Sequence, residues 1–260
     1  MQTGHQQARS GGPGSSGSSG ISGGTGALAS VPAAGGRRAI AMPSHLKFFY
    51  GPMDCGKSTL ALQIDHNHAR QGRHGMLLTT HDRSGGPTIT TRVGLTRQAT
   101  EVAESTDIGQ LVRAEWAAGR ELDYLIVDEA GFLSGSHVDQ LAELVDDFHV
   151  DVYCFGLATD FRTLLLPGAK RLFEIADEVT PVHVEALCWC GRPGQLNARI
   201  VNGRVAREGE TVVVADTALD PGQDDDPVHY QVLCRAHHRR GELGPTTRAR
   251  PIADQLSLDV

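Results

Sequence analysis

The sequence predicts an α/β fold, in which a parallel sheet is covered by helices, followed by a smaller C-terminal part of different character. Two observations predict the larger part. Strand-like segments alternate with helical segments over residues 45–158, and the strand-like segments are continuously apolar, which is typical of strands buried on both faces. A third observation marks the smaller part, because after about residue 180 no helical period remains and a cysteine pair appears.

The predicted strands and helices follow one another in a regular order. The run HLKFFYG (45–51) predicts a strand that ends at a glycine, and the polar residues 81–98, rich in Gly and Thr, predict a loop. The other segments are a helix from Ser58 that stops at Gly72, a strand at 76–80, a helix over 107–118, a strand at 122–130, a helix over 137–149 and a strand at 150–158.

The first 41 residues differ from the rest of the chain in composition. They contain 11 Gly and 7 Ser but no acidic or aromatic residue, and such a segment cannot bury enough apolar surface to offset the entropy lost on ordering. We expect a disordered tail over residues 1–41 and a frayed end over residues 244–260. Two interpretations of the tail stay open: a segment that partly matches a transit peptide, or a start assigned too early, with Met42 as the first residue.

Charge and apolar content exclude several classes of protein. The first 41 residues hold three of the 24 basic residues and none of the 31 acidic ones, so the remainder carries a formal charge of −10. A nucleic-acid-binding protein is normally basic, so no such partner is expected. No apolar stretch of about 18 residues is present, so no membrane span is expected. Five cysteines are too few, and odd in number, for a disulfide scaffold, which favours reduced thiols and a cytoplasmic location.

The strongest local motif is GPMDCGKS, which fits the pattern G-x-x-x-x-G-K-[ST] and lies between a predicted strand and a predicted helix. In such a loop the backbone N–H groups face nucleotide phosphates, Lys57 adds a positive charge, and Ser58 offers its hydroxyl to Mg²⁺. The larger part is therefore predicted to be a P-loop NTPase-type parallel sheet that binds nucleotide phosphates. The loop residues are Gly51, Pro52, Met53, Asp54, Cys55, Gly56, Lys57 and Ser58.

A pair of acids ends the apolar strand LIVDEA. Asp128 is predicted to hold Mg²⁺ through water, together with Ser58, because this ion keeps several waters and few protein ligands. Glu129 has two interpretations that weigh about equally on the pattern alone. It either accepts a proton in the reaction or is an ordinary solvated acid, since successive side chains of a strand point to opposite sides.

A candidate metal site lies in the C-terminal part. Cys188 and Cys190 form a C-x-C pair, and Cys234 and His237 form a C-x₂-H pair, with His238 as an adjacent alternative. Three thiolates and one imidazole suit a tetrahedral, structural Zn²⁺ ion. The alternative, four unconnected reduced residues, would leave this region without a visible source of stability.

Taken together, the chain resembles the type II thymidine kinases over residues 45 to about 240. The acidic strand, the DFR segment and the Cys/His pairs are far more specific than the P-loop alone. The matching segments, in the family's order, are FYGPMDCGKST, HDR (81–83), TTRVG (90–94), VDEAGFL (127–133), GLATDFR (156–162), LPGAKRL (166–172), CWC (188–190), NARI (197–200) and HYQVLCRAHH (229–238).

The resemblance implies transfer of the γ-phosphoryl group of ATP to the 5′-hydroxyl of thymidine. It implies that Glu129 is the general base and that Lys57 and Arg83 offset the charge that develops on the transferred group. The resemblance also implies that Asp128, Glu129, Ala130 and Gly131 contact ATP. It also implies a homotetramer inhibited by thymidine triphosphate.

The resemblance further divides the chain into an ATP-binding domain over 42–180 and a zinc-stapled lasso domain over 181–243 that closes over the nucleoside. It favours His237 over His238 as the zinc ligand. Phe161 resembles the aromatic residue that stacks on thymine, although ordinary core packing remains an alternative for it, as a plain strand role does for Val213. The implied nucleoside contacts are Met53, Phe161, Asn197, Val213 and Tyr230.

Several positions depart from the family's pattern. Gly131 stands where the family usually has Gln, Ala158 where an acid is common, and Leu166 where a Phe occurs; Ala215 and Asp216 replace a Gly pair, and an acidic insert surrounds residues 224–226. These departures leave two alternatives open. One is a broader nucleoside preference that includes deoxyuridine, and the other is a non-catalytic ATP-binding module with an altered lasso.

Overall fold

The computed structural model describes residues 43–80, 87–91, 94–183, 185–211 and 228–245. Four predictions fall outside these residues: the Gly/Ser-rich tail, most of the frayed C-terminal end, and the site residues Arg83 and Val213. The acidic insert also lies outside them.

The α/β part begins with the strand that precedes the phosphate loop. Its elements are β1 (Leu46–Tyr50), α1 (Lys57–Arg70), β2 (Gly75–Thr79), β3 (Thr88–Thr90), β4 (Thr96–Gln98), β5 (Thr100–Glu101), α2 (Ile108–Ala117), β6 (Tyr124–Asp128), a 3-10 turn (Ala130–Phe132), α3 (Gly135–Phe148), β7 (Asp151–Gly156), α4 (Pro167–Ile175) and β8 (Glu178–Pro181). The C-terminal part contains β9 (Leu196–Val201), β10 (Arg204–Val205), β11 (Val228–Leu233) and α5 (Arg235–Arg240).

Six of the strands form one parallel sheet in the order β5-β2-β6-β7-β1-β8. The segments that carry the phosphate loop, the acid pair and Phe161 follow β1, β6 and β7, which are neighbours in this sheet. Since parallel strands end at the same edge, the three segments converge there, at the usual location of a ligand site in an open α/β sheet.

The two faces of the sheet are buried against different helices. Along β6, Leu125 and Val127 belong to a core cluster shared with residues of α2, α3 and α4, whereas Tyr124 and Ile126 belong to a second cluster shared with residues of α1. This alternation shows why the strand is apolar from Tyr124 to Val127: both of its faces are covered. The predicted α/β architecture is confirmed. Among the described residues, every helix is too short or too polar to span a membrane.

The prediction of a loop over residues 81–98 was wrong in part, because β3 and β4 pair there as an antiparallel hairpin. Its strands are only three residues long and mostly polar, so they give no periodic signal. The hairpin is anchored from outside: Ile89 is buried in the second core cluster, and Arg97 forms a 3.0 Å ion pair with the buried Asp65 of α1.

The C-terminal part is built on a three-stranded antiparallel sheet in the order β10-β9-β11. The expectation of no helix after residue 180 was also wrong, since α5 follows β11. With six residues, RAHHRR, this helix is too short and too polar to show a period. The buried apolar cluster here is small, comprising Cys188, Ala198, Leu233 and Cys234, so cysteine side chains make up half of it.

Candidate functional site

The phosphate-binding motif forms a tight loop between β1 and the first turn of α1. Asp54 and Gly56 both adopt positive φ angles, of 65° and 80°, and the N–H group of Gly51 donates to the carbonyl of Gly156 in the neighbouring strand. A Cβ at Gly51 would overlap the side chain of Cys55, which is fully buried under the loop. The loop is therefore wound so closely that only small residues fit at its first position.

Lys57 is the first residue of α1, and its side chain folds back over the loop. Its Nζ donates a 2.7 Å hydrogen bond to the carbonyl of Pro52 and lies 3.9 Å from the Sγ of Cys55. Burial raises the pKa of the Cys55 thiol, and the nearby Lys57 charge opposes that rise. The ammonium group is thus held beside the loop backbone, where phosphate oxygens would meet it.

Asp128, the last residue of β6, is bound to the start of α1. Ser58 donates a 2.8 Å hydrogen bond from its hydroxyl to Oδ2 of Asp128. Burial, together with the adjacent charge of Glu129, raises the pKa of Asp128 to about 6, while the Ser58 hydrogen bond acts in the opposite direction. A hydroxyl and a buried carboxylate side by side are oxygen donors of the kind that Mg²⁺ prefers.

Glu129 occupies a left-handed backbone conformation, with φ 55° and ψ 30°. Its N–H donates to Oδ1 of Asp128, and its carbonyl accepts a 2.7 Å hydrogen bond from the hydroxyl of Thr80 at the end of β2. A non-glycine residue in this conformation costs free energy, and such strain is found at functional sites as well as in turns and helix caps. The turn breaks the alternation of the strand, so Asp128 and Glu129 need not point to opposite sides.

One carboxylate oxygen of Glu129 is buried without a partner. The Oε2 atom of Glu129 is buried and forms no hydrogen bond to any described residue. An ordinary solvated acid would have water at both oxygens, so this geometry favours the other interpretation, in which the carboxylate accepts a proton. A buried acceptor without a donor is unfavourable, and it is typical of a position that a ligand completes.

Gly131 shows why this chain departs from the family's pattern after the acid pair. Any Cβ at this position would overlap the backbone carbonyl of Leu157 and approach a methyl group of Leu166 at 3.0 Å. The 3-10 turn packs directly on the end of β7, so no side chain fits. A nucleotide contact at Gly131 therefore has to be made by its backbone.

Phe161 follows β7 and is almost fully buried, with 2% of its surface exposed. Asp160 fixes the segment by accepting hydrogen bonds from the N–H groups of Arg162 and Leu164. The Nε2 of His238 lies 3.0 Å from the carbonyl of Phe161, and the guanidinium carbon of Arg199 lies 3.9 Å from the ring centroid. The C-terminal part thus holds both the backbone and the ring of Phe161, through His238 and Arg199 respectively.

The C-terminal sheet also contacts the phosphate loop directly. Oδ1 of Asn197 accepts a 2.8 Å hydrogen bond from the N–H of Met53, and Tyr230 lies opposite Arg199 in the β9–β11 pair. The structure thus joins four predicted nucleoside residues into two connected pairs: Met53 with Asn197, and Phe161 with Tyr230 through Arg199. Arg199 and Thr80 are not among the residues that the sequence predicts for the site. Arg199 lies in the NARI segment that resembles the family, and no sequence signal marks Thr80.

The four predicted zinc ligands lie together. One ligand atom from each of Cys188, Cys190, Cys234 and His237 lies within 4.8 Å of all the others. The Sγ of Cys188 and the Nδ1 of His237 are 3.3 Å apart. His238 is engaged with Phe161 instead. The pKa of Cys234 is lowered, chiefly because the backbone N–H of His237 donates to its sulfur, whereas burial raises that of Cys188.

Two further residues fix the imidazole of His237. Its second nitrogen, Nε2, lies 3.4 Å from a carboxylate oxygen of Glu242, and the Trp189 ring stacks on it with 4.2 Å between centroids and a 9° tilt. A metal-bound histidine usually offers its other nitrogen to a carboxylate or carbonyl group. Three sulfurs and one nitrogen form a donor set that can hold a Zn²⁺ ion, and the Glu242 carboxylate orients the histidine from outside that set.

Comparison with known proteins gives one consistent family. A family model described as thymidine kinase matches residues 44–238. A thymidine kinase of Cutibacterium acnes is 50% identical over 216 residues, which is 83% of this chain and 98% of that protein. A thymidine kinase of Streptomyces coelicolor is 49% identical over 211 residues, or 81% and 96% of the two chains. One of Legionella pneumophila is 35% identical over 204 residues, or 77% and 92%.

Among solved structures, a Pif1 helicase from Candida albicans aligns with 54% of this chain and 36% of its own, with a TM-score of 0.33 and 15% sequence identity. A likeness at this level supports no argument about function. The residues matched by the family model include the phosphate loop, the acid pair and the Cys/His cluster.

Proposed function

The chain belongs to the thymidine kinase family, and we infer that it transfers the γ-phosphoryl group of ATP to the 5′-hydroxyl of thymidine. The single observation that supports this chemistry best is the buried Oε2 of Glu129, which has no hydrogen-bond partner among the described residues and adjoins the Ser58–Asp128 pair. Nothing in the site favours the alternative of a non-catalytic ATP-binding module.

We propose that Glu129 is the general base. Its left-handed turn directly follows Asp128 at the edge of the sheet where β1 leads into the phosphate loop, and its Oε2, which has no hydrogen bond to a described residue, is suited to accept the proton of the nucleoside hydroxyl. Phosphoryl transfer depends on alignment and on offsetting negative charge more than on covalent chemistry by the protein. Lys57 and Arg83 are the residues proposed to offset that charge.

Ser58 and Asp128 are proposed to hold Mg²⁺ at the ATP phosphates. When bound, this ion neutralises charge on the β- and γ-phosphates. The Ser58 hydroxyl donates to Asp128, so the two oxygens lie next to each other. The backbone of residues 51–58, with Glu129, Ala130 and Gly131, completes the proposed ATP contacts.

The nucleoside is proposed to lie between the phosphate loop and the C-terminal sheet. This position is supported by the Met53–Asn197 hydrogen bond, which joins the two parts, and by the location of Phe161 and Tyr230 around Arg199. Val213 is proposed as a further contact. Deoxyuridine is proposed as a second substrate, and the nucleoside panel of the phosphorylation assay includes it.

The domain division at 42–180 and 181–243 is likewise a proposal, supported by the change from a parallel to an antiparallel sheet. Zn²⁺ is proposed to be structural, since three cysteines and one histidine leave no ligand position for water. The homotetramer, the inhibition by thymidine triphosphate and the cytoplasmic location are proposed from family membership, and the five unpaired cysteines support the last.

A phosphorylation assay with a panel of nucleosides tests the function. With ATP, Mg²⁺ and Zn²⁺ present, the protein should convert thymidine to its monophosphate. Glu129→Gln should lose most of kcat while ATP and thymidine still bind by calorimetry. Binding of ATP without any pyrimidine deoxynucleoside, and no turnover, would refute the proposal.

A further inference from the structure

Arg199 connects three separate segments around the proposed nucleoside site. It lies on β9, directly opposite Tyr230 of β11, and is 3% exposed. Its Nε donates a 3.0 Å hydrogen bond to the Tyr230 hydroxyl, and its two terminal nitrogens donate to the carbonyls of Glu210 and Thr211 at 2.6 and 3.0 Å. Its guanidinium carbon lies 3.9 Å from the centroid of Phe161.

The partners of this guanidinium are unusual for a buried charge. Among the described residues, no carboxylate forms an ion pair with Arg199; its partners are two carbonyls, a phenol and an aromatic face. Burial of a cation without an anion costs free energy, which carbonyl hydrogen bonds and a cation–π contact offset only in part. A planar, five-donor fork is suited to hold several groups in one geometry, whereas a lysine ammonium is not.

The same strand face also contacts the phosphate loop. Asn197 lies two residues before Arg199, so the two side chains project from the same side of β9. Asn197 binds the backbone of Met53, and Arg199 binds Phe161 and Tyr230. One face of one strand therefore sets the distance between the phosphate loop and the groups proposed to hold base and sugar.

We propose that Arg199 is a positioning residue for the nucleoside: it holds the ring of Phe161 and the hydroxyl of Tyr230 in the arrangement that accepts the base and the deoxyribose. The guanidinium packs on a Phe161 ring that is almost fully buried, so a change of the side chain at 199 should alter the position of that ring. The inference rests on the proposed function, since that function assigns Phe161 and Tyr230 to the nucleoside.

Steady-state kinetics of Arg199→Lys test this role. The variant keeps the charge but loses the fork, so we expect the KM for thymidine to rise about tenfold or more while the KM for ATP stays within about twofold. Arg73→Lys is the matched control, because Arg73 also binds a carbonyl, that of Asp123, and lies over an aromatic ring, that of Tyr124, but on the opposite side of the α/β part from this site. It should leave both KM values unchanged.

A double-mutant cycle separates positioning from general destabilisation. If Arg199 acts through the ring, Arg199→Lys combined with Phe161→Leu should be little worse for thymidine than Phe161→Leu alone. Additive effects, or equal rises in both KM values, would overturn the proposal. Arg199→Gln is the second variant, and failure of both variants to fold would likewise overturn it in favour of a purely structural role. If the unmodified protein does not phosphorylate thymidine, the proposed function fails instead.

Discussion

The hydroxyl of Ser58 donates a 2.8 Å hydrogen bond to the carboxylate of Asp128. This bond joins the first turn of α1 to the end of β6, and it links two motifs that lie 70 residues apart in the chain. It also leaves a buried acid beside a second acid, Glu129, whose charge helps to raise the pKa of Asp128 to about 6. The free energy of folding should therefore depend on pH through this pair.

We predict that Asp128→Asn stabilises the protein at pH 7 to 8 when no Mg²⁺ is added. In the unfolded chain the carboxyl group has a pKa near 3.9, so the folded state binds the extra proton between about pH 4 and 6 and stability falls as pH rises through that window. Removing the charge should recover on the order of 1–3 kcal/mol at pH 7 and abolish activity. Urea denaturation across this pH range measures the effect.

The exposed Asp147 on α3 provides the control for that measurement, because Asp147→Asn changes the net charge by the same amount without touching the site. A pH dependence of stability that is identical in the unmodified protein and in Asp128→Asn would contradict the raised pKa of Asp128.

We predict that Gly131→Ala destabilises the protein by about 1–3 kcal/mol, because the added methyl group overlaps the carbonyl of Leu157, which is backbone and cannot move aside easily. Gly135→Ala is the matched control. A Cβ there meets nothing within 4 Å, and Gly135 begins α3, so its replacement should be neutral or slightly stabilising. Thermal unfolding of both variants gives the comparison, and equal melting temperatures would contradict the packing described for the 3-10 turn.

We predict that Glu242→Gln weakens zinc binding about tenfold, because an outer carboxylate orients the histidine ligand and increases its basicity. Competition with a chromogenic chelator measures the affinity without any activity assay. Glu208→Gln, an exposed change in the same part of the chain, should leave the affinity unaltered. Indistinguishable affinities for the two variants would show that Glu242 does not act on His237.

We predict that Tyr124→Phe lowers stability by about 1–2 kcal/mol, because its hydroxyl donates a 2.9 Å hydrogen bond to the buried carboxylate of Asp65. The change leaves Arg97 as the remaining charged partner of Asp65. Chemical denaturation measures the loss. Tyr50→Phe, whose hydroxyl makes no hydrogen bond to a described residue, serves as the control, and an equal loss in both variants would contradict the importance of the Tyr124–Asp65 bond.

The parts of the fold that the sequence predicts correctly are those with long periodic signals. The strand LIVDEA and the helix that follows Ser58 are continuous patterns bounded by turn residues, so their positions are right to within a few residues. The β3–β4 hairpin was missed because its three-residue strands are held by contacts from other elements, Ile89 in the core and Arg97 on Asp65, rather than by local pattern.

The residues of the site also differ in how well the sequence predicts them. Ser58, Asp128 and the four Cys/His residues carry recognisable spacing, so their association follows from the chain. Arg199 carries no such spacing, because its role depends on contacts with β11 and with the aromatic ring that follows β7. Neither contact can be predicted from the local sequence. The buried oxygen of Glu129, which has no partner among the residues that the structure describes, is also a property of packing, which the residue type alone does not reveal.

The left-handed backbone of Glu129 has a consequence for protein engineering. Glycine adopts such a conformation without the penalty of about 1 kcal/mol that a side chain incurs. Selection of variants for thermal stability alone would therefore favour replacement of Glu129 by glycine. It would enrich stable but inactive variants that lack the carboxylate proposed to remove the proton.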